Sequence, residues 1–200
     1  MSYLAKRTEG ASKDAPLIFT FHGTGGDETQ FHTIAERLIP GARLVSPRGD
    51  VDENGMARYF RRKGEGFYDM DDLALRTEQM AAFIAGERGD AAHVSAMGYS
   101  NGANIMASVS FAAPESFDRM VLLHPLIPFE PAPQPGLAGK AILITAGKRD
   151  PICPPEHTTA LEQYYRTQGA QVSVIWHEGG HDIRPQEIEA IRTFFAQETA

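Results

Sequence analysis

Ser100 is the residue whose surroundings most clearly suggest chemistry, because it stands inside the string Gly98-Tyr99-Ser100-Asn101-Gly102. An apolar run precedes the string and a helix-like stretch follows it, so the pattern predicts a strand that turns sharply into a helix. Such a turn strains the serine backbone and exposes its hydroxyl beside the helix start, where backbone N–H groups favour a developing oxyanion. A chance match in a chain with 19 glycines is the alternative, and the flanking strand and helix disfavour it. We therefore predict that Ser100 is the nucleophile of an acyl-transfer reaction.

A serine hydroxyl needs a base and an orienting acid, and the sequence offers both in the order Ser, acid, His. Asp150 comes just after the apolar run 141–146, and His181 comes just after the run 172–176. Both runs are predicted strands of one parallel sheet, so both residues are expected at the edge where Ser100 lies. We predict that Asp150 orients His181 and that His181 accepts the Ser100 proton. A helix cap or a turn before Pro151 is the structural alternative for Asp150.

Other histidines and acids are ranked lower by their predicted positions. His93 starts a predicted strand, and His177 closes one without a glycine turn. His32 and His157 lie near predicted helix starts, where a surface position is expected. His124 ends a strand and is the next candidate base, but it precedes the acid in the chain. Asp182 is adjacent to His181 and is expected to face away from it.

The glycine-dense turn His22-Gly23-Thr24-Gly25-Gly26 follows the first predicted strand and is the expected source of a second oxyanion donor. The two donors would be the N–H groups of Thr24 and Asn101. A phosphate-binding loop is the alternative, but the Gly-Lys-Ser/Thr ending of such a loop is absent. His22 either holds this turn by hydrogen bonds or is a plain structural histidine.

Apolar side chains near these residues are candidates for the walls of a substrate pocket. Phe60 and Phe67 lie on the long segment before the first long helix, and Ile152 follows the acid. Tyr68, Met70 and Cys153 belong to the same set. The alternative is that the aromatic members pin the segment to the core.

Short apolar runs alternate with longer amphipathic stretches, which is the pattern of a parallel sheet covered by helices. The runs are nearly continuous, as expected for strands buried on both faces. Six strands are predicted: Leu17 to Phe21, Ala42 to Ser46, His93 to Gly98, Arg119 to Leu123, Ala141 to Ala146 and Val172 to Trp176. Helices are predicted after Ser100, over about 72–88, from Pro155 to just before Gly169, and near the carboxyl terminus. The expected fold class is α/β, a single domain over residues 1–200 with helices on both faces of a mostly parallel sheet of six to seven strands.

Two segments lack a helix or strand period. Residues 47–70 predict a long loop, which in a compact domain is usually functional or mobile. Residues 125–139 contain five prolines and predict a rigid, extended connection.

Composition excludes several classes of protein. The chain has 200 residues, 26 acidic side chains against 19 basic ones and one cysteine, Cys153. A net charge of −7 disfavours a nucleic-acid partner, because such binding depends on clustered Lys and Arg. No apolar stretch approaches the roughly 20 residues that span a bilayer, and the amino terminus lacks the apolar core of a signal peptide. A cytoplasmic protein with no internal disulfide, no membrane insertion and no structural metal is therefore expected.

Taken together, the turn 22–26, the string 98–102, Asp150 and His181 resemble the phospholipase/carboxylesterase family of small α/β-hydrolases, which includes the acyl-protein thioesterases. The resemblance extends from about residue 15 to the end. The segment that begins Ser46-Pro47-Arg48-Gly49 is similar to the bacterial carboxylesterase branch. His124-Pro125 departs from the thioesterase relatives, which usually have Ser-Gly-like residues after this strand.

The resemblance implies an α/β-hydrolase fold without a cap domain, no metal or other cofactor, and hydrolysis of carboxylic esters with small acyl groups through an acyl-enzyme. An open site on a protein of charge −7 is expected to favour small, neutral, water-soluble esters over anionic membrane lipids. A homodimer is a possible assembly. An acyl thioesterase or a lysophospholipase would use the same triad and differ in pocket length, so it stays as an alternative. A binding module that has kept the fold without the activity is another alternative. Such modules usually lose the nucleophile or the histidine, and both are present here.

Overall fold

A seven-stranded sheet forms the centre of the molecule, which is described by a computed structural model covering residues 3–64 and 66–197. Its strand order is β1-β3-β2-β8-β9-β10-β11, with β1 antiparallel to β3 and all other neighbours parallel. The sheet strands are β1 Ala5–Thr8, β2 Leu17–Phe21, β3 Arg43–Pro47, β8 Val94–Tyr99, β9 Arg119–Leu123, β10 Ala141–Gly147 and β11 Gln171–His177. The six predicted strands are thus confirmed to within one residue at each end.

Helices cover both faces of the sheet, as predicted. They are α1 His32–Leu38, α2 Met70–Arg88, α3 Asn101–Ala112, α4 Pro155–Thr167 and α5 Pro185–Ala196. Alternate side chains of a strand point to opposite faces, so Leu17 and Phe19 of β2 join the core under α2, α3 and α4. Ile18 joins the smaller core under α1 and α5. Within the described residues, no helix is long and apolar enough to cross a membrane.

The edge strand β1 was not predicted, because its sequence Ala-Lys-Arg-Thr is polar and only partly buried. Charged side chains are typical of edge strands, where they prevent pairing with another chain. The strand places Thr8 Oγ1 2.9 Å from Nε2 of His32, whose Nδ1 lies 2.7 Å from Ser46 Oγ. His32 is fully buried, so the prediction that it lies at the surface is wrong. The His32 ring is covered by β1, the strand that was not predicted.

The segment 47–70 is also more ordered than predicted, because it folds into two small hairpins. The first joins β4 Val51–Glu53 to β5 Met56–Arg58, and the second joins β6 Arg62–Gly64 to β7 Phe67–Tyr68. The first turn is Asn54-Gly55, and both residues have the positive φ (55° and 84°) that tight hairpin turns require. The long loop is therefore corrected to a pair of hairpins that rise over the carboxyl edge of the sheet.

As predicted, the proline-rich connection between β9 and β10, all of which the structure describes, contains no α-helix or β-strand. Its described residues form a single short 3-10 turn, Pro135–Leu137, and no inserted domain. Among the described residues, the carboxyl edge of the sheet is therefore covered by the hairpins and by the loops that follow the strands, and by no further element.

Candidate active site

The turn from β8 into α3, which we call the elbow, has the strained geometry expected around Ser100. This residue has φ 52° and ψ −116°, a left-handed conformation that side chains other than glycine rarely adopt. Its N–H donates to Leu123 O at 2.8 Å, which ties the turn to β9. Added Cβ atoms would lie 2.8 Å from Gly102 C at Gly98, and 2.5 Å from Phe21 O at Gly102. Both glycines are therefore required for α3 to pass this close to the strands.

We expect Gly102→Ala to destabilise the protein by about 3 kcal/mol, because the new methyl group would meet backbone atoms that cannot move aside. Thermal or urea unfolding of the purified variant measures this loss. Gly86→Ala on α2 is the matched control, since its Cβ meets nothing within 4 Å and alanine favours a helix by up to about 1 kcal/mol. Equal stability of the two variants would show that the close approach at Gly102 is not real.

Ser100, His181 and Asp150 form a continuous chain of hydrogen bonds. Ser100 Oγ lies 2.9 Å from His181 Nε2, and His181 Nδ1 lies 2.7 Å from Asp150 Oδ2. The carboxylate accepts a hydrogen bond from Nδ1–H, so the proton of the neutral ring stays on Nδ1 and the Nε2 lone pair is directed at the serine hydroxyl. This tautomer is the one that a general base requires. The structure therefore brings the three predicted residues together in the predicted order of contacts.

Local contacts fix both partners of Ser100. Asp150 Oδ1 accepts from the N–H groups of Ile152 (2.8 Å) and Cys153 (3.0 Å) in the loop after β10. Burial raises the pKa of Asp150, but hydrogen bonds from Cys153, His181, His124 and Ile152 outweigh burial and leave it below its ordinary value. The Tyr99 hydroxyl donates a hydrogen bond to His181 O at 2.8 Å, and the two rings are in contact. Asp150 is therefore held ionised and His181 is held in place.

The turn after β2 lies beside Ser100, as predicted, and hydrogen bonds of His22 hold it in place. Gly49 N–H donates to His22 Nε2 at 2.9 Å, so His22 Nδ1 carries the proton that reaches Gly23 O at 2.7 Å. Burial lowers the pKa of His22, which keeps the ring neutral for these two bonds. The prediction that His22 holds this turn by hydrogen bonds is confirmed.

The two predicted oxyanion donors line the same cavity as Ser100. Within the described residues, the N–H groups of Thr24 and Asn101 donate to no acceptor. Their side chains are engaged elsewhere, since Arg58 donates to Thr24 Oγ1 at 2.6 Å and Tyr59 N–H donates to Asn101 Oδ1 at 2.8 Å. These side-chain bonds hold the first hairpin against the site and leave both amides available to a ligand.

The cavity above Ser100, which we call the catalytic pocket, has a volume of about 290 Å³. It is lined by Thr24, Met56, Arg58, Arg62, Gly66, Tyr68, Tyr99, Ser100, Asn101, Asn104, Leu126, Ile152, Cys153 and His181. A larger cleft of about 670 Å³ between α4 and the proline-rich connection contains no triad residue. Of these two cavities, the catalytic pocket is the one that Ser100 and His181 line.

Six residues were predicted as pocket walls, and Ile152, Tyr68 and Cys153 line this pocket. Phe60, Phe67 and Met70 do not. Phe60 is fully buried in the core, where its ring packs edge-on against Tyr68 at 4.8 Å. Phe67 is 73% exposed, because successive side chains of β7 point to opposite faces and Tyr68 takes the inward position. The predictions for Phe60 and Phe67 are therefore wrong. Sequence inspection missed Met56 and Leu126, whose places depend on the hairpin and on the loop after β9.

Comparison with known proteins agrees with this arrangement. Residues 52–183 match the model of the dienelactone hydrolase family. The chain is 39% identical over 185 residues to MhqD of Bacillus subtilis (strain 168), whose name assigns it to the hydrolases, and the match covers 90% of this chain and 92% of that protein.

Solved structures show the same architecture over nearly the whole chain. The carboxylesterase of Bacillus cereus has a TM-score of 0.90 and 34% identity, and the match covers 98% of this chain and 94% of that chain. A protein of unknown function from Agrobacterium tumefaciens, Atu2452, has a TM-score of 0.92 and 51% identity, with 98% and 96% covered. The resemblance to small α/β-hydrolases is thus confirmed: the chain belongs to the dienelactone hydrolase family, and it is a carboxylic ester hydrolase.

Proposed function

We propose that the protein is a serine carboxylesterase that hydrolyses small carboxylic esters through Ser100, His181 and Asp150 and a covalent acyl-enzyme. The observation that carries the proposal is the unbroken chain of contacts at 2.9 and 2.7 Å from the serine hydroxyl to the buried carboxylate. The strained elbow supports it, because strain of this kind persists where function requires the exposed hydroxyl.

Each step of the reaction uses a group already in place. His181 Nε2 takes the hydroxyl proton as Ser100 Oγ attacks the ester carbonyl carbon, and the carbonyl oxygen becomes an oxyanion. The N–H groups of Thr24 and Asn101 donate to that oxyanion, while Asp150 stabilises the imidazolium of His181. The carbon–oxygen bond to the alcohol then breaks, and His181 returns its proton to the departing oxygen. Water repeats the sequence on the acyl-enzyme and releases the acid.

The size of the catalytic pocket favours short acyl groups. Its volume of about 290 Å³ lies at the lower limit for small-molecule sites, which typically start near ~300 Å³. Met56, Tyr68, Leu126 and Ile152 provide its apolar wall. Arg58 and Arg62 also line it, and both pair with Glu53, at 3.5 and 2.8 Å. A bound acyl chain therefore meets a short, partly polar space.

We expect kcat/KM to be highest for p-nitrophenyl acetate and butyrate, and to fall at least about tenfold for the decanoate ester, because a long chain would project beyond the pocket. A panel of p-nitrophenyl esters, the matching acyl thioesters and a lysophospholipid measures this preference at one pH. Faster turnover of the thioesters would identify an acyl thioesterase. Activity confined to long chains would identify a lysophospholipase. Either result would overturn the proposed substrate class.

A further inference from the structure

His124 is a second histidine that contacts the triad carboxylate, and its ring lies beside that of His181, with 5.2 Å between the ring centroids. It follows β9, has a positive φ of 49°, and its side chain is fully buried. Its Nδ1 lies 3.0 Å from Asp150 Oδ2, the same oxygen that binds His181. Its Nε2 lies 3.0 Å from Oε1 of Glu187, which is also fully buried. The ring therefore bridges two carboxylates in the interior of the protein.

The other hydrogen-bond partners of Asp150 and Glu187 indicate that the protons in both contacts with His124 are on the His124 nitrogens. Glu187 Oε2 accepts from Arg184 N–H at 2.6 Å and faces His177 Nε2 at 3.3 Å. Asp150 Oδ1 accepts two backbone N–H groups, as described above. Besides His124, the two carboxylates contact N–H donors and the Thr145 hydroxyl, which can donate as well as accept. Hydrogen bonding holds the pKa of both carboxyl groups below the ordinary value, so each acts as an ionised acceptor. Both nitrogens of His124 must then carry a proton, which makes the ring an imidazolium.

His177 completes the bridge as a neutral donor. Gly179 N–H donates to His177 Nδ1 at 3.0 Å, so the proton of that ring is on Nε2 and points at Glu187. The Nε2 atoms of His177 and His124 lie 3.5 Å apart because both point at the same carboxylate. These three side chains are close enough to surround a cation. A protonated Nε2 has no lone pair for a metal, however, so hydrogen bonding accounts for the cluster better than metal binding.

Electrostatics agree with this assignment. Burial lowers the pKa of His124, but Glu187 and Asp150 outweigh burial and raise it above its ordinary value. Burial raises the pKa of Glu187, but hydrogen bonds, first of all from His124, hold it below its ordinary value. The other groups facing His124 are the rings of Tyr99, His177 and His181 and the Cys153 thiol, which donates to His124 O at 3.2 Å.

We propose that His124 is a positioning residue of the active site, a permanent imidazolium that is anchored by Glu187 and holds the Asp150 carboxylate against His181. The proposal rests on the proposed triad. Asp150 then accepts four hydrogen bonds, two on each oxygen, and cannot rotate away from His181. The positive end of the His124–Glu187 pair faces the triad, so it weakens the attraction of Asp150 for the proton that His181 accepts. Loss of the His124 charge would therefore strengthen the attraction of Asp150 for that proton.

The double variant His124→Asn/Glu187→Gln tests the proposal, because it removes one positive and one negative charge together and leaves an uncharged amide at each position. We expect the midpoint of the acid limb of kcat/KM against pH to rise by about one unit, since Asp150 then lacks its second cationic neighbour. We also expect kcat to fall about tenfold with KM unchanged. A purely structural role would leave the acid limb where it is, and that result would overturn the proposal.

A second measurement does not depend on activity or on the variant folding. In the ¹⁵N-labelled wild-type protein at pH 7, above the ordinary histidine pKa of 6.5, NMR should show both ring nitrogens of His124 protonated. Absence of either proton at that pH would contradict the proposal even in a fully active enzyme. A protonated His124 in a protein that hydrolyses no ester would instead refute the proposed function and leave the charge assignment standing.

Discussion

Replacement of Ser100 by alanine is expected to lower kcat for p-nitrophenyl acetate by about 10⁴- to 10⁶-fold, because no other group can form the acyl-enzyme. The remaining rate would come from the oxyanion donors and from substrate binding. Alanine has the same Cβ as serine and suffers the same strain at φ 52°, so the elbow should keep its shape. The loss of rate should therefore occur without a loss of folded protein. Initial rates under saturating substrate, with unfolding curves of both proteins, measure the two quantities.

The matched control is Ser173→Ala, which removes an exposed hydroxyl from β11 far from the elbow and should keep the wild-type rate. A fluorophosphonate probe adds an independent readout, since only an activated serine reacts with it. One probe per wild-type chain and none per Ser100→Ala chain is the expected result. Wild-type turnover by Ser100→Ala would refute the serine mechanism. An unlabelled, inactive wild-type protein would indicate a binding module.

The residues of the proposed triad could be picked out from the sequence because each one is tied to a strong local pattern. Ser100 stands between a buried strand and a helix, and Asp150 and His181 each follow a buried strand. The carboxyl ends of parallel strands meet at one edge, so three separate local patterns were enough to place three side chains together. The prediction needed no knowledge of which strands are neighbours.

The pocket walls and the His124 cluster could not be predicted in the same way, because they depend on pairing and on side-chain direction. Phe67 and Tyr68 are adjacent aromatic residues, and only the pairing of β7 decides which one points inward. Asn54-Gly55 is a pattern typical of hairpin turns, but the short strands around it are mostly polar and show no alternation of apolar and polar residues. Glu187 is 63 residues from His124, and an acid at this position is typical of a helix start. It does accept from Arg184 N–H at the start of α5, in addition to its contact with His124.

Asp150 is the point at which the predicted triad and the unpredicted cluster meet, so its replacement should affect both activity and stability. In Asp150→Asn an amide nitrogen would face the N–H groups of His181 and His124, or else the backbone N–H groups of Ile152 and Cys153. We expect kcat to fall by about 10³- to 10⁴-fold, because His181 loses the tautomer it needs. We also expect the free energy of unfolding at pH 7 to fall by about 3 kcal/mol, since the buried charge of His124 loses a partner.

His181→Gln is the matched comparison for Asp150→Asn, because it should remove activity to a similar extent while costing about 1 kcal/mol or less at a partly exposed position. The pH dependence of stability separates the two further. The pKa of Asp150 lies below its ordinary value of 3.8 in the folded protein, so its stabilising effect is present above pH 3.8 and is lost as pH falls through the lower value. The stability gap between wild type and Asp150→Asn should therefore be widest near neutral pH and narrow below pH 3.8. Urea unfolding at pH 7 and pH 3.5 measures the gap, and equal stability of the two variants at pH 7 would mean that Asp150 serves the triad alone.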